Sequence, residues 1–433
     1  MVNAIDFSMD QLAGANLDAR IAANAEDAFR FLERLVAEPS VVGAEQSAQE
    51  VLADELAGLG FEIERLPIPS GIAAVPHAGV PLCSYDGRYD LVARRSGAAG
   101  RPSLLLNGHI DVVPAEEPGQ WTTPPFAPNR RDGWLYGRGA GDMKCGFAMG
   151  VLAIRSLLDV APDAISGPLT VLAAIEEECT GNGSLAAAEQ GILADAVILL
   201  EPTDLDLLLG GVGILWLEVT VTGRAAHAEA VGSAVNAIEA AFPLIAALRQ
   251  FEDELNATEH DPRIVGTDRP YVVNVGRFAG GDWGSSVPAV ARFEVRVGFP
   301  WTWTAARAEA SVRERLAQAA RGDAWLAANQ PTVRASGFRA EGYDLPADAP
   351  LAQLLGAAHR AAHGSDPRTT VMGTTTDART YINRYGTPAI CYGPRTTQIH
   401  GIDEGVELAS IVAGARTLAR FIAAWYARPK GTA

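Results

Sequence analysis

Basic runs, paired cysteines, internal repeats and low-complexity linkers are all missing from this chain of 433 residues. With no cluster of Lys and Arg and a formal net charge of −17, the sequence argues against nucleic acid and anionic membrane surfaces as partners and leaves small molecules. Cys83, Cys145, Cys179 and Cys391 have no paired spacing, which reads as reduced thiols in a cytoplasmic setting rather than a disulfide framework. No apolar run reaches the length of a membrane span. The first forty residues contain Asp6, Asp10, Asp18, Glu26 and Asp27 but no basic segment leading into an apolar stretch, unlike a secretory signal.

What is present is apolar periodicity over a length that exceeds one ordinary core, so two domains are expected. Helical spacing marks 26–35, 45–59 and 143–158, and short apolar runs mark strands at 103–107, 170–175 and 196–200. This alternation of strand and helix implies an α/β unit with a mostly parallel sheet covered by helices on both faces. After Gly210-Gly211-Val212-Gly213 the pattern changes to strict alternation with a polar face, and strands and helices follow in the order βαββαβ. A helix at 350–362, a strand at 388–392 and a helix at 406–425 then return to the first pattern. The expected organisation is therefore a catalytic domain made of 1–212 and 347–433, with an α+β lid or dimerisation domain inserted at 213–346.

Three of the apolar runs end in metal-binding side chains: Leu104-Leu105-Leu106-Asn107-Gly108-His109-Ile110-Asp111, Thr170-Val171-Leu172-Ala173-Ala174-Ile175-Glu176-Glu177-Glu178, and Ala196-Val197-Ile198-Leu199-Leu200-Glu201. In open α/β sheets ligands gather outside the carboxyl ends of the strands. Taken singly, Gly-His-x-Asp is as compatible with a solvated loop, and Asp142, at the start of a helix after 137–141, with a simple N-cap. Glu176-Glu177-Glu178 is more demanding, because three carboxylates after a buried strand repel one another unless a cation or solvent relieves them. His400, in Gln398-Ile399-His400-Gly401, adds a second imidazole. His359 and His363 stand one helical turn apart without a carboxylate motif beside them, and His77 and His260 read as loop residues.

These segments resemble the dinuclear zinc metallopeptidases that include acetylornithine deacetylase, succinyl-diaminopimelate desuccinylase, carboxypeptidase G and the aminoacylases. The likeness runs through Gly108-His109-Ile110-Asp111-Val112-Val113-Pro114, 137–144, 176–184, Glu201-Pro202-Thr203, Gly223-Arg224-Ala225-Ala226-His227-Ala228 with Asn236-Ala237-Ile238, and His400. The resemblance implies two divalent ions, zinc with cobalt as an alternative. His109 and Glu201 would hold one, Glu178 and His400 the other, and Asp142 would bridge them. Anchored on Gly183-Ser184, it puts Glu177 in the place of the general base, which takes a proton from the attacking water and passes it to the departing amine. Asp111 would hold His109 in the correct tautomer, and a bend at the strand end must aim both Glu177 and Glu178 inward.

The same resemblance gives His227 the role of an oxyanion-stabilising histidine that reaches across a homodimer. It gives Arg296 that of a clamp on a substrate carboxylate, with Thr375, Thr376 and Arg379 in a substrate-contact loop. From the residues alone, His227 is equally a solvated loop histidine, Arg296 a partner of Glu294, and Arg379 a helix-face ion pair. Ser286 and Cys145 stand where relatives commonly have Asn and Gly. The implied activity is a metal-dependent hydrolase that removes an acyl group from the nitrogen of a small amino acid or related amine. A dipeptidase or carboxypeptidase of the same family, or a non-catalytic binding protein, is the alternative.

Overall fold

The structure, a computed structural model, describes residues 16–115, 118–264 and 267–429. The N-terminal reading that drew on Asp6 and Asp10 lies in part outside the described residues. The larger sheet has nine strands. Its centre is parallel: Leu104–His109 lies between Leu169–Ala174 and Ala196–Leu199, and Ala389–Cys391 continues the parallel run beside Ala196–Leu199. Glu62–Pro67 and Tyr89–Arg95 add an antiparallel flank on one side, and Leu207–Gly211 pairs antiparallel with Ala389–Cys391 on the other. Tyr343–Asp344 pairs antiparallel and Thr369–Met372 parallel with Leu207–Gly211, so the sheet is mixed, with its parallel centre where the site residues emerge.

The central strands are continuous apolar runs because both of their faces are buried. Leu104 and Leu106 face the core that contains the helices Leu17–Val36, Lys144–Val160 and Leu408–Ala427, while Leu105, Leu172 and Leu199 face a second, smaller core with Tyr343, Ala378 and Tyr381. Leu408–Ala427 corrects one sequence reading, since this helix of 20 residues is long and apolar enough to cross a membrane. Here it is a core helix, with Ile411, Leu418, Phe421 and Trp425 buried against the neighbouring helices.

Strand Tyr89–Arg95 is absent from the sequence reading, since its start carries Asp90 and its end two arginines, which blur the alternation. Asp90 is fully buried there and accepts a hydrogen bond from the Ile175 amide at 3.0 Å. Leu207–Gly211 was likewise hidden, because its two glycines read as a boundary.

The smaller sheet is antiparallel, in the order Val273–Gly280, Val290–Phe299, Gly213–Thr222, Thr332–Ala340, with the helices Ala237–Thr258 and Ala305–Arg321 packed on one face. Its elements run βαββαβ along the chain, with the short helix Ala324–Ala328 before the last strand. Tyr343–Asp344 already pairs with Gly211 and Gly210 in the large sheet, so the chain is back in that sheet before residue 347.

Close backbone approach explains Gly146 in the first turn of helix Lys144–Val160. A Cβ there would stand 1.9 Å from the Leu200 carbonyl oxygen, which lies just before Glu201. In an open helix Gly→Ala stabilises by roughly 0.5–1 kcal/mol. Here the contact is with backbone, so Gly146→Ala is expected to destabilise by about 1–3 kcal/mol. A melting temperature equal to or above the parent's would contradict this packing.

Candidate metal centre

The parallel register decides where the site forms. His109 is level with Ala174, and Asn107 with Leu199, so the segments that follow these strands leave the sheet at the same edge. His109 is buried, its Nδ1 donates to the Asp111 backbone carbonyl at 2.9 Å, and its Nε2 lies 3.1 Å from Asp142 Oδ1 and 3.8 Å from Glu201 Oε2. On the other side, His400 Nε2 lies 3.0 Å from Glu178 Oε2 and 3.4 Å from Asp142 Oδ2. The Asp142 carboxylate therefore spans two imidazoles, one oxygen to each. Ligand atoms of His109, Asp142 and Glu178 all lie within 4.8 Å of one another.

The turn after Ala174 supplies the bend required to aim both glutamates. Glu176 adopts a left-handed backbone (φ 61°), and its carboxylate is held away from the cleft. Arg88 Nη1 lies 2.5 Å from it, and the hydroxyls of Tyr85 and Thr180 donate to it at 2.7 and 2.8 Å. A buried acid so tightly partnered is an anchor. With Glu176 fixed, Glu177 and Glu178 turn towards the cleft, and the Asp111 carboxylate accepts both of their amide N–H groups at 3.2 Å. His109 is oriented through the backbone carbonyl of Asp111, while the Asp111 carboxylate, 3.8 Å from the ring, serves the glutamate turn.

Sequence reasoning passed over Glu404. It is fully buried, pairs with Arg138, and accepts the amides of Gly141 and Asp142 at 2.9 Å each. It thereby ties the backbone of Asp142 to the loop that carries His400. The signal was its position four residues after His400, but its partners are more than 260 residues away in sequence. Arg88 and Tyr85, which hold Glu176, carry no local motif at all.

The charges at this edge are out of balance. Burial pushes the Glu177 carboxyl well above its ordinary range, with Asp377, Glu201 and Glu178 adding to the effect. Burial likewise lifts Glu201 to about 8. Burial alone would lower His109, yet the surrounding Glu201, Asp142, Glu177 and Asp111 raise it overall, and the charge of Glu178 lifts His400 to about 11. Burial opposes ionisation of Asp142, but its bonds to the two imidazoles keep it below the usual carboxylate range. Carboxyl groups outnumber the imidazoles, and burial keeps Glu177 and Glu201 from ionising, a state that added positive charge would relieve. Nitrogen and oxygen donors in this proportion suit divalent cations, and the residues fit a pair of ions sharing one carboxylate.

The centre opens into a cleft of ≈ 360 Å³ whose wall includes Arg296, Thr374, Thr375 and Thr376. The buried Thr375 hydroxyl has no hydrogen-bond partner among the described residues. Arg296 reaches the Gly373 carbonyl and Thr374 Oγ1 at 3.4 Å, while Glu294 pairs with Arg277. Arg379 is not on the cleft wall. Its guanidinium is buried, donates to the carbonyls of Thr376 at 2.8 Å and Thr180 at 3.3 Å, and lies over the Phe338 ring. It holds the loop against the turn that follows Glu178. His227 is exposed, accepts from the Glu229 amide at 3.2 Å, bridges to Ser286 and is likewise off the cleft wall. His359 bonds the Tyr392 hydroxyl at 2.8 Å and His363 bonds Thr417 at 2.9 Å, within a polar network of the helical core.

Comparison with known proteins follows this geometry. Succinyl-diaminopimelate desuccinylase of Paracidovorax citrulli (strain AAC00-1) is 31% identical over 396 residues, covering 88% of this chain and 92% of that protein. Acetylornithine deacetylase of Proteus mirabilis (strain HI4320) is 31% identical over 278 residues, covering 62% of this chain and 66% of that protein. The di-peptidase Dug1p from Saccharomyces cerevisiae shares the fold with a TM-score of 0.78 at 15% identity, over 96% of this chain and 98% of that one. The sequence model of peptidase family M20/M25/M40 matches residues 105–424. With its site assembled at the ends of the same strands that carry the matched sequence, the chain belongs to peptidase family M20/M25/M40.

Proposed function

We propose that this protein is a metal-dependent amidohydrolase that removes the acyl group from the nitrogen of a small amino acid or related amine. The observation that carries the reading is the Asp142 carboxylate held between His109 and His400, with Glu201 and Glu178 beside them and the buried Glu177 on the same cleft. The names of the two relatives, a desuccinylase and a deacetylase, support acyl removal over peptide cleavage. A dipeptidase is the second reading, favoured by the fold shared with Dug1p.

His109 and Glu201 would hold one divalent ion, Glu178 and His400 the other, and Asp142 both; zinc is our choice, with cobalt as the substitute. When bound, the pair supplies an activated water and draws electrons from the amide carbonyl. Glu177 takes the proton from the attacking water and delivers it to the leaving nitrogen, and its burial favours the protonated state it must occupy in between. Asp111 keeps Glu177 and Glu178 on the cleft side by receiving both amides. Arg296, a cation without an acidic partner among the described residues, takes the substrate carboxylate. His227 lies off its own cleft, so its part in stabilising the oxyanion requires a second copy docked through the inserted domain. The four free thiols suit a reducing, cytoplasmic setting.

Glu177→Gln is expected to keep two metal equivalents per chain by elemental analysis while kcat falls about 10²- to 10⁴-fold; normal turnover would refute the assignment of the base. Asp111→Asn places an N–H donor where an amide now donates, and should weaken metal affinity about 10- to 100-fold in chelator competition. Parental affinity would show that the glutamate turn holds without it. Sedimentation should report a dimer, and mixing Glu177→Gln with His227→Ala protein should recover activity that neither has alone. A fully active monomer would remove His227 from the mechanism.

A further inference from the structure

The cleft sorts its charges into two groups. Asp142, Glu177, Glu178, Glu201 and His400 belong to the metal centre, and among the described residues Arg296 is the one other ionisable side chain on the wall. Ile214, Trp216, Phe338, Leu208, Met372 and Ile399 make the remainder mainly apolar.

The placement of these groups matters as much as their chemistry. Arg296 and Trp216 are direct partners on neighbouring antiparallel strands, so both side chains leave the same face of the small sheet. Ile214 is two residues before Trp216 on the same strand and shares that face. The Phe338 ring stands edge-on to the Trp216 indole, with centroids 5.5 Å apart at 84°. In an acylated amino acid the carboxylate and the side chain are borne by one carbon atom. A carboxylate held by Arg296 therefore puts the substrate side chain against Trp216 and Ile214. An ammonium or second carboxylate placed there would lose much of its hydration and, among the described residues, meet no side chain of opposite charge on the wall beyond the metal-centre groups and Arg296, which is unfavourable.

We propose, on the amidohydrolase reading above, that the substrate is an acylated amino acid with one carboxylate and an apolar side chain, phenylalanine or leucine in kind. Side chains ending in charge, such as those of ornithine and diaminopimelate, are rejected at the Trp216 wall.

The test is a panel of N-acetyl phenylalanine, leucine, alanine and ornithine, N-succinyl-diaminopimelate and an apolar dipeptide, assayed with the zinc- or cobalt-loaded enzyme. For phenylalanine or leucine, kcat/KM should exceed the values for the two charged side chains by about 10²-fold. Calorimetric binding of the same compounds to Glu177→Gln protein should follow the same order. Trp216→Ala should reduce the phenylalanine-to-alanine ratio of kcat/KM about tenfold. Preference for the ornithine or diaminopimelate derivative, in turnover or in binding, would overturn the proposal while leaving the amidohydrolase reading in place. Cleavage of the dipeptide alone would overturn that reading and the proposal with it.

Discussion

Mutual repulsion among carboxylates gathered at one sheet edge is the constraint around which this structure is arranged. Asp142, Glu177, Glu178 and Glu201 line one cleft, with the imidazoles of His400 and the buried His109 directly beside them. Acids brought this close out of water are costly unless cations join them or rigid partners hold them in place. The surrounding layer supplies such partners. Asp111 receives the amides of the glutamate turn, Glu404 receives those of the Asp142 turn, and Arg88 neutralises Glu176. Asp111 and Glu404 fix backbone, and Arg88 holds a carboxylate outside the cleft, so the donors keep their free oxygens for the site.

The sheet makes this arrangement possible by direction. Three adjacent parallel strands end in register, so segments far apart in sequence deliver their polar residues to one place. The helix Lys144–Val160 packs so closely on the end of Ala196–Leu199 that only glycine fits at 146. Opposite this edge, the face of the small sheet that carries Arg296, Trp216 and Phe338 completes the cleft. Segments around the larger sheet contribute the candidate ligands, and the small sheet contributes Arg296, Trp216 and Phe338 to the cleft wall.

Much of the centre was legible because its residues follow apolar runs. His109, Glu177, Glu178 and Glu201 could be picked out because buried parallel strands are unbroken in hydrophobicity and the first polar residue after them stands at the sheet edge. Strands with a polar start or glycine end, Tyr89–Arg95 and Leu207–Gly211, escaped the same test. Arg379 shows the converse difficulty. Its motif beside Thr375 and Thr376 suggested substrate contact, yet two carbonyls and the Phe338 ring claim its guanidinium.

The alternation of apolar strands and helices around the site, the change of sheet type near Gly213 and the candidate ligand side chains were legible in the sequence alone, since periodicity and residue chemistry are local properties. Only the tertiary structure decided that Asp111 acts on His109 through its carbonyl and on the glutamates through its carboxylate, that Glu404 joins two ligand loops, and that Trp216 flanks Arg296. Apart from the local contact of Asp111 with His109, those are relations between segments tens to hundreds of residues apart, and direction and distance across such separations are set by packing, which no stretch of sequence encodes by itself.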